Sequence, residues 1–192
     1  LNVYEDDIKQ FAIDELNENL KTNVEVEDIQ LSVFHDFPYA SIQFDEVFIP
    51  DAYPEIESED TMFYAKRMFF NFNIMDIYSG NYEVKRISVH DGCLHMNTAP
   101  DGQKNYDILE KRDSLKSDSD ENFAFKVELL DLENFNYSYH HLGAKQHYDV
   151  DINSGLVAGD FAKDNYELEA DLDLHINSLK SNAFTLLKDK DA

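Results

Sequence analysis

Along most of the chain apolar and polar residues alternate with a period of two, the spacing of a β-strand with one buried and one wet face. Val24 and Val26 alternate with acids, and Ile29, Leu31 and Val33 alternate with polar residues. The link His35-Asp36-Phe37-Pro38 turns the chain, and Ala40, Ile42 and Phe44, followed by Val47 and Ile49, begin a return strand, so the pattern predicts a hairpin. The alternation is cleanest further on. Phe123, Phe125, Val127 and Leu129 lead through Leu130 and Leu132 to Phe135, Tyr137 and Tyr139; a turn around Leu142-Gly143-Ala144-Lys145 follows, then Tyr148, Val150 and Ile152. After Val157, Gly159 and Phe161, a last long strand holds Tyr166, Leu168, Ala170, Leu172, Leu174 and Ile176. This is the signature of an antiparallel meander with one apolar face. Beyond Leu179 the pattern fades, and Lys188 to Ala192 reads as a cut end.

Between these regions, Met62 to Leu109 reads as a strand, a connection ending at Gly80, and a second strand. A tight Asp91-Gly92 hairpin is expected to lead into a third strand, and a second Asp-Gly turn precedes Asn105-Tyr106. Pro50 to Asp60, acidic with two prolines, and the polar run Ser114 to Asn122 read as loops. Four sites place two polar residues between apolar ones: Val26-Glu27-Asp28-Ile29, Phe44-Asp45-Glu46-Val47, Val84-Lys85-Arg86-Ile87 and Leu132-Glu133-Asn134-Phe135. In a regular strand, positions three apart point to opposite faces. A β-bulge at each site would restore the facing and add twist, which predicts a curved sheet.

One segment departs from the period of two. From Tyr4 to Leu20, Ile8, Phe11, Ala12, Leu16 and Leu20 recur at steps of three and four, an amphipathic helix whose early acids suit the positive end of its dipole. Its polar face is acidic, whereas a membrane-surface helix carries Lys and Arg, so the stripe is expected to pack on the sheet.

The 192 residues suit one domain, or one and a fraction, able to bury roughly 70% of the unfolded surface. A formal charge of −24 argues against nucleic acid and against adsorption to an anionic membrane surface. No run approaches the ~20 apolar residues needed to cross a bilayer. The sequence begins at Leu1, as a processed or excised piece would, with any upstream signal or anchor removed.

Motifs for chemistry are missing. The sequence holds no phosphate-cradling glycine loop, no nucleophile-elbow serine, no cysteine zinc pattern and no cofactor fingerprint. Carboxylates are too frequent for any pair to single itself out, and Ser117 to Glu121 lacks the central Gly and closing Glu of a calcium loop. The single cysteine, Cys93, reads as a small packed residue. His140, His141 and His147 flank one hairpin, where two could face each other with Asp149 as the nearest third ligand; polar hairpin ends are the simpler reading. The chain reads as non-enzymatic.

The first ~110 residues resemble the N-terminal region of the AsmA-like family, the size of one small domain. The amphipathic helix leads into VEVEDIQLSVFHDFPYASIQFDEVFIPD, where Phe37-Pro38 between two strands is similar to the family's "fP-x-a-s-i" passage. FFNFNIMDIYSGNYEVKRISVHDGCLHM resembles its strand, "l-l-x-G" connection and following strand, and DGQKNYDIL its "G-x-x-N" ending, matched by Gly102 and Asn105. Residues beyond about 110 match only in style.

This resemblance implies a Gram-negative envelope protein, held in the inner membrane by an N-terminal helix preceding Leu1 and projecting into the periplasm. Some relatives form β-grooves, like the chorein-type bridge proteins, that are thought to conduct phospholipid in outer-membrane biogenesis. A groove grows by about 4.8 Å per strand, so this chain would be its membrane-proximal piece. The expected fold is mainly β of the α+β class: the helix packed on a twisted, bulged antiparallel sheet forming an open groove or half-barrel. Residues 1–110 would hold helix and sheet, 111–122 a polar loop, and 123–192 a continuing meander of the same sheet. One helix covers only part of an apolar face, and the remainder must close on itself or hold a ligand. Candidate acyl-lining residues are Ile42, Phe44, Ile87, Val89, Leu168, Leu172 and Leu174. The alternative is a structural or protein-interaction module with a closed, dry core.

Overall fold

The computed structural model describes residues 22–36, 39–51, 61–73, 82–108, 123–159, 168–182 and 184–192. Eight strands, β1 (Asp28–Asp36), β2 (Tyr39–Pro50), β3 (Thr61–Asn73), β4 (Tyr82–Thr98), β5 (Phe123–His141), β6 (Gln146–Gly159), β7 (Leu168–Ser181) and β8 (Phe184–Asp191), form one sheet in sequence order. β1 and β8 are its two outer strands, so the sheet is open rather than closed into a barrel.

The expected α+β class is overturned. The described residues are all β, with no helix packed on the sheet; the Tyr4–Leu20 helix lies outside them. The architecture rests on strands of up to 19 residues, whose cross-strand hydrogen bonds and side-chain rows make one continuous layer. The expectation of a purely antiparallel sheet also fails, because β4 and β5 pair in parallel, Tyr82 opposite Phe123 and Thr98 opposite His141. Alternation fixes which face a residue occupies but not the direction of its strand. A parallel neighbour requires the chain to return the length of a strand between the end of β4 at Thr98 and the start of β5 at Phe123.

Asp91-Gly92 is not a hairpin. Both residues lie inside β4, which continues to Thr98. Asp91 takes φ 56°, so the pair does supply the positive φ that its sequence signals. At Gly92 any Cβ would come within 2.4 Å of the Tyr64 carbonyl oxygen, so glycine is required by close approach of β3.

That irregularity belongs to a line crossing the sheet. Regular pairing is interrupted at Glu46 opposite Lys66, Lys66 opposite Asp91, Asp91 opposite Asn134, and Asn134 opposite Asn153, while the pairs on either side keep one register. Glu46 and Asn134 also take positive φ, 53° and 51°. Core-facing residues therefore stand three apart across the line: Phe44 and Val47, Ala65 and Met68, Leu132 and Phe135. The Phe44–Val47 and Leu132–Phe135 insertions are thus face-restoring creases that leave the register unchanged. At Val84–Ile87 the register does shift on both sides, the bulge read from the sequence. Val26–Ile29 straddles the start of β1, where Glu25 bridges Phe48 and Glu27 N–H donates to the Asp45 carbonyl.

Candidate functional site

Cross-strand register builds the apolar face in transverse rows. One row joins Ile42, Phe70, Ile87, Leu130, Val157 and Ala170 across β2 to β7; the next joins Ile29, Phe44, Met68, Val89, Leu132, Gly155 and Leu172. Beyond the crease, Val47, Ala65, Gly92, Phe135, Ile152 and Leu174 make a third. Paired residues in a ladder share a face, so all seven residues singled out from the sequence stand on one side of the sheet, Leu168 opposite Gly159 included.

Their surroundings differ. Phe44 is 1% exposed, its ring 5.0 Å from that of Phe70, and Val89 is buried with it. Ile42 and Ile87 are half-buried against that cluster. Leu172 and Leu174 are half-buried on β7, and Leu168 is 47% exposed. Among the described residues every buried apolar side chain lies between Val24 and Phe135, and none lies on β6, β7 or β8. Among the described residues the uncovered part of this apolar face is therefore its β6–β8 end.

Sequence reasoning missed part of that end. A further row runs through Tyr139, Tyr148, Leu179 and Leu187, the two tyrosine rings 5.7 Å apart, and Phe184 adds an exposed ring on β8. β8 shows no alternation because its register shifts next to Leu179 and its second half is charged. Pairing with β7, not its own pattern, makes it a strand.

The opposite face is polar and closely bonded. Asn136 donates to Asp149 and Asp151 at 3.1 and 2.7 Å, and Asn177 donates to the same two carboxylates at 3.2 and 2.8 Å. These amides, Asn136 foremost, hold the Asp151 carboxyl below its ordinary value. Arg86 pairs with Asp131 across β4 and β5. Tyr64 donates to the Glu46 carboxylate, and that bond, with burial, pushes its hydroxyl up to about 12.

At one end of the sheet, residues 99–106 buckle back onto β4. Gly102 N–H donates to the Ala99 carbonyl and Ala99 N–H to the Gln103 carbonyl, with Gly102 at φ 90°, a conformation suited to glycine. Asn105 is fully buried. Its amide nitrogen donates to Asp51 Oδ2 at 3.0 Å and to the His95 carbonyl at 2.9 Å, and its Oδ1 accepts from Asn97 N–H at 2.7 Å. One side chain thus ties the crossover to the ends of β2 and β4. Its amide supplies both donors and the acceptor that the site requires.

His140 and His147 do face each other across the hairpin, ring centroids 5.3 Å apart and edge-on. Burial and the nearby His140 push His147 below its ordinary value. Asp149 does not complete a metal set with them; it is bonded to Asn136 and Asn177, and no cluster of three metal-ligating side chains occurs among the described residues. Cys93 is half-buried, opposite Tyr64 and Asn136 in the register. Among the described residues no helix is long and apolar enough to cross a membrane. No protein-family model and no curated protein matches the chain.

Proposed function

We propose that this chain is a non-enzymatic, AsmA-like lipid-handling module of the Gram-negative envelope, which holds acyl chains of phospholipid on the apolar face of β6 to β8. The observation that carries the reading is the uncovered end of that face, where Leu168 and Leu187 are 47% and 43% exposed beside half-buried Leu172 and Leu174. Covering a Leu side chain in full is worth about 1.5–3 kcal/mol, so a few of them give an acyl chain useful affinity without any polar contact. The buckle adds support to the family likeness. Gly102 and Asn105, the residues matching the "G-x-x-N" ending, are the two whose backbone and amide the local structure requires. On this reading the protein works in the periplasm, anchored to the inner membrane, in phospholipid transport or outer-membrane biogenesis.

The β1–β5 half favours the second reading for itself alone. Phe44, Val47 and Val84 form a buried core there, so Phe44 and Val89 act as core residues and the lipid face is confined to β6–β8.

Native mass spectrometry with organic extraction tests the proposal. Near-stoichiometric phospholipid is expected on the purified chain, reduced by Leu172→Asp or Leu174→Asp while circular dichroism stays unchanged. A clean apo mass with no uptake from added phospholipid would overturn it.

A further inference from the structure

β8 is an exposed outer strand of the sheet. All eight of its residues are exposed, it has one neighbour, β7, and its backbone is distorted at Asp189, φ 57°. Away from its backbone ladder, the polar contacts that fasten its far end converge on one side chain of β7. His175 Nδ1 lies 2.7 Å from Asp191 Oδ1, and His175 Nε2 lies 3.2 Å from Asp189 Oδ1. A neutral imidazole has one N–H and can donate to only one of these carboxylates; the imidazolium donates to both at once.

We propose that His175 is a proton-operated latch that holds the end of β8 on β7. This inference does not depend on what the apolar face binds. The charged groups around the ring favour the closed, protonated form from three strands. Asp151 of β6 stands directly across from His175 in the ladder, Asp173 precedes it by two on β7, and Asp189 and Asp191 approach from β8. Asp173 accepts a hydrogen bond from Asn153 and Asp151 from Asn136 and Asn177, which keeps both side chains placed. β8 also carries Lys188 and Lys190, so opposing cations are fewer than the carboxylates.

The bond to Asp191, followed by the attraction of Asp191 and Asp189, raises the imidazole above its ordinary 6.5. The sign follows from that direction. A group whose folded value is raised adds its stabilisation in full below 6.5 and loses it as pH climbs through the folded value. β8 is therefore fastened in mildly acidic solution and loosened in alkaline solution. Release would bare the edge of β7 at that end and loosen Leu187 from the margin of the apolar face, while Phe184 stays beside Ser181 at the other end of the strand.

Hydrogen exchange on the full chain from about pH 5.5 to about pH 8.5 tests this, with each rate divided by its intrinsic value and β5 amides as the internal reference. Protection of β8 is expected to fall several-fold relative to β5 across that range. In His175→Gln it should stay at the lower level throughout. In Asp191→Asn, the His175 ring resonances should titrate at lower pH than in the wild type. A flat wild-type profile, or a pH dependence that survives His175→Gln, would overturn the latch.

Discussion

Phe44 and Leu172 lie on the same transverse row of the same face, yet Phe44 is 1% exposed while Leu172 is only half-buried. The difference extends to the two halves of the sheet. From β1 to β5 the apolar face is a core, with Val47, Ala65, Val84 and Phe135 packed around Phe44 and Phe70. From β6 to β8 the same alternation gives no buried apolar side chain, and the close contacts move to the polar face, where Asn136 and Asn177 each donate to Asp149 and Asp151. One half is held by what its apolar side chains exclude, the other by backbone pairing and by amide–carboxylate bonds. Identical patterning thus leads to different cohesion, depending on whether anything covers the face.

The largest effect expected from this contrast is in stability. Phe44→Ala removes a ring from a packed site and should cost about 3–5 kcal/mol, whereas Leu168→Ala, on the uncovered half, should cost no more than about 0.5 kcal/mol. Urea denaturation of the two variants measures both. Comparable losses would mean that Leu168 is covered in solution, and the division of the sheet would break down.

Asn105→Ala is the next in size. It takes the acceptor from the Asn97 N–H and one donor from Asp51 in a buried place, and leaving a buried polar group unmet costs about 1–3 kcal/mol. Because Asn105 clasps the ends of β2 and β4, faster amide exchange should be confined to the β1–β5 half, with β6 and β7 unchanged. Equal loss of protection across all eight strands would show that the halves unfold as one unit.

The contrast also explains what could be read from the chain. Strand existence and facing were legible because the pleat imposes a period of two, and Ile42, Ile87 and Leu172 do share a face. The crease was half legible: Phe44-Asp45-Glu46-Val47 announced it, while Ala65-Lys66-Arg67-Met68 and Val89-His90-Asp91-Gly92 carry the same insertion unnoticed. Asp91-Gly92 misled because positive φ serves a turn and a crease alike. The direction of β5 depends on where a crossover leads, and no residue within β5 encodes that. Asn105 stood out only through its likeness to a family motif. Its partner Asp51 is 54 residues away, so the reason for an amide at that position appears only once the chain is folded. Burial was the least legible property of all, since Phe44 and Leu168 are the same kind of residue in pattern and differ only in what lies over them.

The smallest effect tests the polar half of the contrast by pH. Asp151 is held below its ordinary 3.8 by hydrogen bonds from Asn136 and then Asn177, with His175 adding attraction. For a depressed carboxyl the stabilisation is present above the unfolded value and is lost as pH falls through the folded one. Acidification through and below 3.8 should therefore weaken β6–β7 pairing before it disturbs the Phe44 core. Asn177→Ala removes one donor and should move the Asp151 carboxyl resonance to a higher titration midpoint, narrowing the difference between the two halves at acidic pH. If the midpoint does not move, the amide–carboxylate bonds are not what holds β6 and β7 together, and their cohesion lies in the backbone ladder alone.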